Sequence, residues 1–522
     1  MQTIPLLFAN AVERFGMYPA LIEPTDDNEV STLTYQTLQE RVQRFAGYLQ
    51  QQGFSKGERM MIWSPSRIDW MVTYLAALMV GLVVVPLDIN TKEDFLQRLA
   101  ETTEARYLVT TQKQYKSLKQ PPVPLIDIDQ LPEGPFDATR LPSIDENDLA
   151  ELVFTSGTTG QPKGVMLSHR NIVSNATTAL QVVNIQSKDR ALSILPLSHM
   201  FELTIEMAIF HIGASNVYAR TLSPETLFRL LATQHVTLMV LVPQALQLFL
   251  NGIEREVRRQ KKEKQWAMLH SIAAHLPFGV RRYLFGTVHK RFGGQFRFFV
   301  SGGAYLPPQI GRTWENMGFR VLQGYGATEC APVISATPYH DHNLESVGKP
   351  LPGVEVRIAD DGEILVHGPN VALGYWKNPE ATEAVFRDGW YYTGDLGYMD
   401  SHGNLYLKGR KKNLIVLANG MNVYPEDVEN VLQGQSGVKE AIVCGLPGKD
   451  KETEVHAVLL MDDPSKAKDA VRNANKQLAS HQQIRGFTLW TGEDFPRTHT
   501  LKVKRPEVLA TLEDMRAEHK GS

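Results

Sequence analysis

The chain contains the stretch Phe154-Thr-Ser-Gly-Thr-Thr-Gly-Gln-Pro-Lys-Gly164, directly after the apolar run Leu149–Val153. Glycines let a backbone approach a ligand closely, while hydroxyl groups, exposed N–H groups and the Lys163 ammonium can bind phosphate oxygens. The order of strand, hydroxyl-rich loop and lysine therefore predicts a cradle for a polyphosphate. The loop is not the P-loop of kinases and GTPases, because Gln161 follows Gly160 where that pattern requires lysine. It indicates chemistry other than ordinary NTP hydrolysis.

The composition is that of a soluble globular protein. The chain has 522 residues, 43% of them hydrophobic and 21% charged, which is enough for several domains. A net charge of −3 argues against a nucleic-acid-binding protein. Cys330 and Cys444 lie far apart and match no metal or disulfide pattern, and the first residues lack the pattern of a signal peptide. We therefore expect a cytoplasmic protein with reduced thiols.

The arrangement of apolar residues predicts the fold class. Up to about residue 245, helical patterns such as the stripe from Leu38 to Leu49 alternate with short strands such as Met60-Met61-Ile62. This alternation predicts α/β layers with largely parallel sheets. Between Ser346 and Leu407, short strands separated by glycine and proline turns indicate a small β-rich subdomain. A basic run after Gly409 marks the predicted boundary with a small C-terminal α+β domain.

Residues 251–297 stand apart because they carry eleven basic and three acidic side chains. Two sets of apolar residues within them follow helical spacing. They are Trp266, Leu269, Ile272, Ala273 and Leu276 in the first set, and Val280, Tyr283, Leu284 and Val288 in the second. A basic amphipathic pair of helices can lie on an anionic membrane, and it can equally be a solvated insertion packed on its domain. Both interpretations stay open at this point.

A series of short motifs follows the loop. They are Leu195-Pro-Leu-Ser-His199, Ser301-Gly-Gly-Ala304, Gln323-Gly-Tyr-Gly-Ala-Thr-Glu329, Gly362-Glu-Ile-Leu-Val-His-Gly368, Tyr392-Thr-Gly-Asp395, Gly409-Arg-Lys-Lys-Asn-Leu-Ile415 with Asn419-Gly420, and Pro496-Arg-Thr-His-Thr-Leu-Lys502. In this order they closely resemble the motifs of the adenylate-forming superfamily, which contains acyl-CoA synthetases, peptide-synthetase adenylation domains and beetle luciferases. The resemblance covers essentially the whole chain.

The resemblance implies both a fold and a reaction. The fold is an α/β protein with a large N-terminal domain of layered α/β subdomains plus a distorted β-barrel (residues 1–408) and a small mobile C-terminal domain (residues 409–522). In the reaction, a carboxylate attacks the α-phosphate of ATP, pyrophosphate leaves, and a thiol then takes the acyl group from the adenylate. Two anions meet in the first step, so positive charge, a metal ion and hydrogen-bond donors are needed. The implied cofactors are ATP and Mg²⁺, with CoA as co-substrate.

The resemblance also assigns the nucleotide-binding residues. The β- and γ-phosphates go to the loop and its lysine: Thr155, Ser156, Gly157, Thr158, Thr159, Gly160 and Lys163. Thr328 contacts the α-phosphate, and Glu329 holds Mg²⁺, a hard cation that prefers oxygen ligands. Asp395 accepts the ribose hydroxyls and Arg410 donates to ribose or phosphate. Tyr325 stacks on adenine, and the two glycines that allow close approach on its other side are Gly302 and Gly303.

Further residues are assigned to the acyl-transfer chemistry. Lys502 is the predicted catalytic lysine, which bridges the substrate carboxylate and the α-phosphate; here Leu501 precedes it where the superfamily usually has glycine. His199 is placed beside the acyl carboxylate. Lys412 occupies the position about which the small domain swings, and Gly420 lies next to the pantetheine arm of CoA.

The acid is harder to predict than the nucleotide. Met200 stands where amino-acid-activating relatives tend to carry an aspartate, so a peptide-synthetase role is not expected. The insertion of residues 251–297 is similar to the extra segment of long-chain fatty acid–CoA ligases, which predicts a fatty acid as substrate and a peripheral membrane association. The alternatives are a fatty acyl-AMP or acyl-carrier-protein ligase, a medium-chain or aryl acid–CoA ligase, and a catalytically silent lipid-binding scaffold. The oligomeric state stays open, with a homodimer as one option.

Overall fold

The structure, a computed structural model, describes residues 2–24, 29–155, 162–340, 343–448, 452–497 and 503–521, with side chains as far as residue 515. The chain divides into two compact units. The first comprises Met1–Val356 and Val366–Tyr391, and the second comprises Arg357–Leu365 and Tyr392–Ser522. The domain boundary at residue 409 stays a prediction, because this division follows compactness and says nothing about movement.

The strands in the described residues are, in chain order, β1 (Pro19–Pro24), β2 (Val30–Thr34), β3 (Arg59–Trp63), β4 (Val83–Leu87), β5 (Tyr107–Thr110), β6 (Leu125–Asp127), β7 (Leu149–Thr155), β8 (Lys163–Ser168), β9 (Arg190–Ser193), β10 (Ser215–Tyr218), β11 (Leu238–Leu241), β12 (Phe298–Ser301), β13 (Arg320–Gly326), β14 (Val333–Ala336), β15 (Lys349–Pro350), β16 (Glu355–Ile358), β17 (Glu363–His367), β18 (Phe386–Arg387), β19 (Trp390–Met399), β20 (Leu405–Arg410), β21 (Ile415–Val416), β22 (Asn422–Val423), β23 (Val438–Pro447), β24 (Thr453–Met461) and β25 (Gly486–Leu489).

The α-helices in the same residues are α1 (Ile4–Phe15), α2 (Tyr35–Gln51), α3 (Ile68–Met79), α4 (Glu93–Thr103), α5 (Gln112–Ser117), α6 (His169–Val182), α7 (Met200–Ile212), α8 (Pro224–Thr233), α9 (Pro243–Arg259), α10 (Glu263–Ala274), α11 (Phe278–Leu284), α12 (Gly286–Arg291), α13 (Pro308–Asn316), α14 (Pro379–Val385), α15 (Pro425–Gln433), α16 (Ala467–Asn475) and α17 (Arg505–Gly521).

The first unit contains two large sheets. One has the order β6-β5-β3-β4-β7-β8, and the other has the order β15-β14-β13-β12-β11-β9-β10-β1-β2. Their central strands pair in parallel, as in the pairs β3–β4 and β12–β13, which confirms the predicted α/β layers. Parallel strands need helical crossovers, and the predicted stripe on α2 is buried from Leu38 to Leu49. The run Met71–Leu87 comprises most of the buried helix α3 and the buried strand β4 that follows it.

The β-rich segment forms one sheet, and the C-terminal part contains both helices and strands. Strands β16 to β20 form a five-stranded sheet with the order β16-β17-β19-β18 and with β20 beside β19, and its barrel-like closure stays a prediction. In the second unit, β23, β24 and β25 form a three-stranded sheet that packs on α15 and α16 through a core of aliphatic side chains. This confirms the predicted α+β character of the C-terminal part.

The basic segment 251–297 is helical, as expected, but it contains three short helices after the end of α9 instead of one pair. Trp266, Leu269 and Ala273 face the core, whereas Ile272, predicted for the same face, is 46% exposed. Among the described residues, no helix combines the length and the apolar character that a membrane span requires.

Candidate active site

The predicted phosphate loop joins two antiparallel strands. β7 ends at Thr155 and β8 begins at Lys163, and these two residues are register partners across the hairpin. Ser156, Gly157, Thr158, Thr159 and Gly160 lie outside the described residues, as does Lys502. The hairpin therefore fixes Thr155 and Lys163 at the base of the loop, with both side chains partly exposed.

Lys163 and Glu329 are brought together by a residue that the sequence did not single out. The Lys163 ammonium lies 4.9 Å from the centre of the Tyr375 ring. The Tyr375 hydroxyl donates a hydrogen bond to Oε1 of Glu329 at 2.8 Å. Burial, followed by the adjacent Glu329 carboxylate, raises the pKa of Tyr375, so the hydroxyl keeps its proton. The predicted phosphate lysine and metal carboxylate thus flank one tyrosine.

The turn that carries Thr328 and Glu329 is anchored by buried amides. It is a short 3₁₀ helix, Thr328–Cys330, directly after β13. The amide of Asn370, 1% exposed, donates to the carbonyls of Cys330 (3.0 Å) and Val333 (3.2 Å). Asn175 exchanges two hydrogen bonds with the Val333 backbone, at 2.7 and 3.0 Å. The turn is therefore held at its C-terminal side while both functional side chains remain partly exposed.

Tyr325 lies three residues before Thr328 on β13 and is 8% exposed. This burial limits the area that its ring offers to a ligand. Its predicted stacking on adenine stays a prediction.

His199 caps the N-terminus of α7. Its Nδ1 accepts a hydrogen bond from the Phe201 backbone N–H at 3.3 Å, which satisfies one of the free donors at the helix start. In a neutral imidazole the proton is then on Nε2. His199 thus has a structural role, and its predicted role beside the acyl carboxylate stays a prediction.

Phe201 also explains one of the predicted glycines. A Cβ built on Gly302 would meet the Phe201 ring at 3.0 Å and the carbonyl oxygen of Gly324 at 3.2 Å. Because Gly302 has no side chain, the Phe201 ring can pack closely against it. The sequence analysis assigned this close approach to the nucleotide, whereas here it is made by a side chain of the protein. Gly303 has a φ of +78°, which favours glycine for a conformational reason.

In the second unit, the predicted ribose-binding residues form an ion pair. Nε of Arg410 lies 2.6 Å from Oδ1 of Asp395. Asp395 is 7% exposed, and its backbone N–H donates to Oγ1 of Thr393, which fixes the backbone at this position. The resemblance gave these two residues a shared ligand, and the structure shows that they contact each other.

Lys411 and Lys412 lie in different environments in the 3₁₀ helix Lys411–Asn413. Lys411 pairs with Asp361 (2.6 Å) and Glu363 (2.8 Å). Burial, and then the nearby cations Arg410 and Arg505, lowers the pKa of Lys412. The predicted hinge residue is therefore a destabilised cation, next to a lysine held by two carboxylates.

Gly420 lies in the turn between β21 and β22, with a φ of +79°, and a Cβ built on it would contact no other atom within 4 Å. The positive φ and the open surroundings suit the predicted approach of a ligand. The approach of the pantetheine arm itself stays a prediction.

The residues present fit the predicted ligands. Glu329 has one carboxylate oxygen bonded to Tyr375 and a second oxygen for a hard cation such as Mg²⁺, which binds one or two carboxylates together with phosphate oxygens. The Lys163 ammonium supplies positive charge for a polyphosphate. Together they would form an anion-binding and metal-binding arrangement, in which Lys163 comes from the edge strand β8 of one large sheet and Glu329 from the turn after β13 of the other.

Comparison with known proteins decides the family. The sequence profile of the family described as AMP-binding enzyme matches residues 8–376. The chain belongs to this family. The long-chain-fatty-acid–CoA ligase FadD15 of Mycobacterium bovis is 29% identical over 87% of this chain and 87% of its own. The predicted adenylate-forming superfamily is thereby confirmed, and the protein is an AMP-forming ligase.

Two solved structures of the same fold contain bound nucleotide. ATP-bound MatB from Rhodopseudomonas palustris superposes with a TM-score of 0.82 at 26% identity, covering 98% of this AMP-binding enzyme and 99% of that chain. The o-succinylbenzoate CoA synthetase MenE of Bacillus subtilis, in complex with ATP and a magnesium ion, gives a TM-score of 0.78 at 26% identity over 96% and 98%. The predicted fold class is confirmed. The predicted ligands, ATP and Mg²⁺, are also the ligands bound in these related structures.

Proposed function

We propose that this AMP-binding enzyme is an AMP-forming long-chain fatty acid–CoA ligase, with ATP and Mg²⁺ for the activation of the acid and CoA as the acceptor. The observation that carries the activation step is the connection of Lys163 to Glu329 through Tyr375. It joins a phosphate-binding cation to a metal-binding carboxylate, and a displacement at the α-phosphate of ATP needs both.

In the first half-reaction, a carboxylate oxygen of the acid forms a bond to the α-phosphorus, and the bond from that phosphorus to the bridging oxygen breaks. Lys163 binds the β- and γ-phosphates and so stabilises the charge of the leaving pyrophosphate. Thr328 binds the α-phosphate and Asp395 orients the ribose. Lys502 bridges the attacking carboxylate and the α-phosphate. When bound at Glu329, Mg²⁺ neutralises phosphate charge and orients the oxygens.

In the second half-reaction, the thiol of CoA loses its proton to solvent and its sulfur forms a bond to the acyl carbon, while AMP leaves with the electron pair of the broken C–O bond. Lys412 would be the position about which the C-terminal part turns between the two half-reactions. Gly420 would lie beside the pantetheine arm, because its open surroundings and positive φ tolerate close approach of a ligand.

Two observations support a long-chain acid as the substrate: the similarity to FadD15 and the basic segment 251–297. FadD15 is named a long-chain-fatty-acid–CoA ligase. MatB and MenE share the fold with this chain, but they are not named as fatty acid ligases. Residues 251–297 form the basic helical insertion that the long-chain interpretation expects.

The decisive experiment is an acid and acceptor screen with purified protein, ATP and Mg²⁺. Saturated acids from C4 to C18 and an aryl acid are each offered with CoA or with a pantetheinylated carrier protein, and the thioester is measured. We expect the highest kcat/KM with long-chain acids and CoA. A preference for short or aryl acids, or transfer to the carrier protein alone, would replace the proposal by one of its alternatives.

A variant separates the two half-reactions. Lys502→Ala should abolish formation of the acyl-adenylate yet leave thioester formation from supplied acyl-adenylate and CoA largely intact. Equal loss of both steps would contradict the assignment of Lys502 to the first step only.

The same proposal includes a peripheral, cytoplasmic association with anionic membrane. Apolar side chains on α10 and α11 are unusually exposed: Met268 is 56%, Val280 43% and Tyr283 86% exposed. The exposed lysines Lys261, Lys262 and Lys264 lie between α9 and the first turn of α10. Exposed apolar side chains beside exposed lysines are typical of a surface that binds anionic lipid.

Some basic side chains of the insertion make structural contacts within the protein. Arg281 donates to the carbonyls of Leu276 and Glu315, and Arg297 pairs with Asp189 at 2.5 Å. Among the described residues, the side chains of Lys261, Lys262 and Lys264 make no such contact, so these lysines can be replaced without a loss of packing.

Vesicle sedimentation tests the surface. Replacing Lys261, Lys262 and Lys264 by serine should weaken binding to vesicles that contain phosphatidylglycerol at least about tenfold, since each lysine near such a surface contributes on the order of 1 kcal/mol. Serine at the exposed lysines 113, 116 and 119 removes the same charge elsewhere and is the matched control. Equal binding by the two triple variants would refute the membrane surface.

A further inference from the structure

Tyr375 contacts both charged residues of the candidate site through different parts of its side chain. The face of its ring receives the Lys163 ammonium, and its hydroxyl donates to Glu329. The ring also contacts the ring of Phe386, with centroids 5.6 Å apart, and the residue is 6% exposed. Tyr375 is therefore a rigid side chain with one polar atom, the hydroxyl oxygen, and this hydroxyl donates its hydrogen bond to Glu329.

The backbone around Tyr375 is fixed to the same two sites. In the segment Ala372–Trp376, which we call the strap, Trp376 N donates to the Gly164 carbonyl at 2.7 Å and Ala372 N donates to the Glu329 carbonyl at 2.8 Å. Between these ends, the strap exchanges two further hydrogen bonds with Met166, both of 2.9 Å. The strap thus runs from the residue after Lys163 to Glu329 itself.

Local contacts hold Tyr375 in place within the strap. Its backbone N–H donates to Oγ1 of Thr382 at 2.9 Å. The preceding residue, Gly374, has a φ of +129°, and a Cβ there would meet the Thr382 methyl group at 2.7 Å. Glycine is therefore required before Tyr375, and the tyrosine has little freedom to move away from Glu329.

We propose that Tyr375 is a positioning residue that couples the metal carboxylate to the phosphate lysine. By occupying Oε1 of Glu329, it directs the second oxygen towards the metal, as outer hydrogen-bond partners of metal ligands generally do. By its ring, it holds the Lys163 ammonium beside the same site through a cation–π contact. This inference rests on the proposed function, because it takes Glu329 as the metal ligand and Lys163 as the phosphate ligand.

Two substitutions separate the hydroxyl from the ring. Tyr375→Phe removes one oxygen atom and keeps the ring, so it should weaken ATP binding in the presence of Mg²⁺ and leave binding in EDTA within about twofold. Because loss of an outer-shell partner typically costs 10–100-fold in metal affinity, we expect the ratio of the two dissociation constants to change about tenfold. Tyr375→Leu removes the ring as well and should also weaken binding in EDTA.

Isothermal titration of the full-length protein with ATP, in Mg²⁺ and in EDTA, measures this ratio without turnover. Tyr107→Phe is the matched control, because the Tyr107 hydroxyl donates to a side-chain oxygen of Gln52 and neither residue belongs to the strap or to the candidate site. A purely structural role of Tyr375 would weaken binding equally in both conditions. An unchanged ratio for Tyr375→Phe, or the same change in Tyr107→Phe, overturns the inference.

Glu329→Gln distinguishes failure of this inference from failure of the proposed function. If Mg²⁺ no longer strengthens ATP binding in Glu329→Gln but still does so fully in Tyr375→Phe, only the inference about Tyr375 is wrong. If Glu329→Gln binds ATP with the wild-type ratio, the metal assignment in the proposed function is wrong, and the coupling falls with it.

Discussion

Gly302 offers a sharp test of how the candidate site is packed. In Gly302→Ala, the new methyl group would lie 3.0 Å from Cζ and 3.1 Å from Cε1 of Phe201, and Phe201 is 8% exposed. Ordinary carbon contacts begin near 3.5 Å, so the ring must move by about half an ångström or the backbone must shift. Overpacking of this kind costs about 1–3 kcal/mol in the free energy of unfolding.

The compensating substitution is Phe201→Leu, which removes ring atoms from the same space. Alone, it should cost on the order of 1–3 kcal/mol through the cavity that it leaves, and combined with Gly302→Ala it should cost less than the sum of the two. Urea unfolding of the four proteins gives the coupling free energy, which we expect to be at least about 1 kcal/mol.

The control is the same substitution in open space. Gly252 lies within α9, and a Cβ there would meet no atom within 4 Å. Gly252→Ala should therefore stabilise the protein by about 0.5–1 kcal/mol, the reverse sign of Gly302→Ala. Additive effects of Gly302→Ala and Phe201→Leu, or stabilisation by Gly302→Ala, would refute the packing described for Phe201.

Three further outcomes are expected. Burial lowers the pKa of His289 to about 4, below its usual 6.5. The contribution of neutral His289 to stability is therefore full above pH 6.5 and is lost as the pH falls towards 4. In His289→Gln, the unfolding free energy should decline by about 1–2 kcal/mol less between pH 7 and pH 5 than in the wild type. Asp395→Asn should raise the KM for ATP at least about tenfold, because an NH2 group that cannot accept a hydroxyl donor replaces one carboxylate oxygen, and a normal KM would exclude the residue from the ribose site. Gly420→Val should slow thioester formation from supplied acyl-adenylate while pyrophosphate exchange is unchanged, since the φ of +79° disfavours a β-branched residue; equal loss in both assays would contradict a role in the thioester step alone.

Local patterns predicted the elements well, because periodicity depends on neighbouring residues. The stripe on α2 and the strand β3 are where the spacing of apolar residues predicts them. The strand β7 also lies where the apolar run Leu149–Val153 predicts a strand before the loop. These features need no knowledge of distant contacts.

Contacts between distant segments were not predicted. Tyr375 meets Lys163 and Glu329 because the strap pairs with the start of β8, and no local spacing encodes that register. For the same reason, helical spacing grouped Ile272 with Trp266 and Leu269 on one apolar face, but it could not show that the core covers only part of that face. A glycine before Tyr375 was the one available signal, and glycine alone has too many uses to identify a site.

The central claim is that the protein activates a fatty acid by adenylation. Exchange of labelled pyrophosphate into ATP measures this step directly, without CoA. We predict exchange that requires both a long-chain fatty acid and Mg²⁺ and that is strongly reduced in Lys163→Ala. Absence of exchange with every acid tested, or exchange that does not depend on an acid, would contradict the claim.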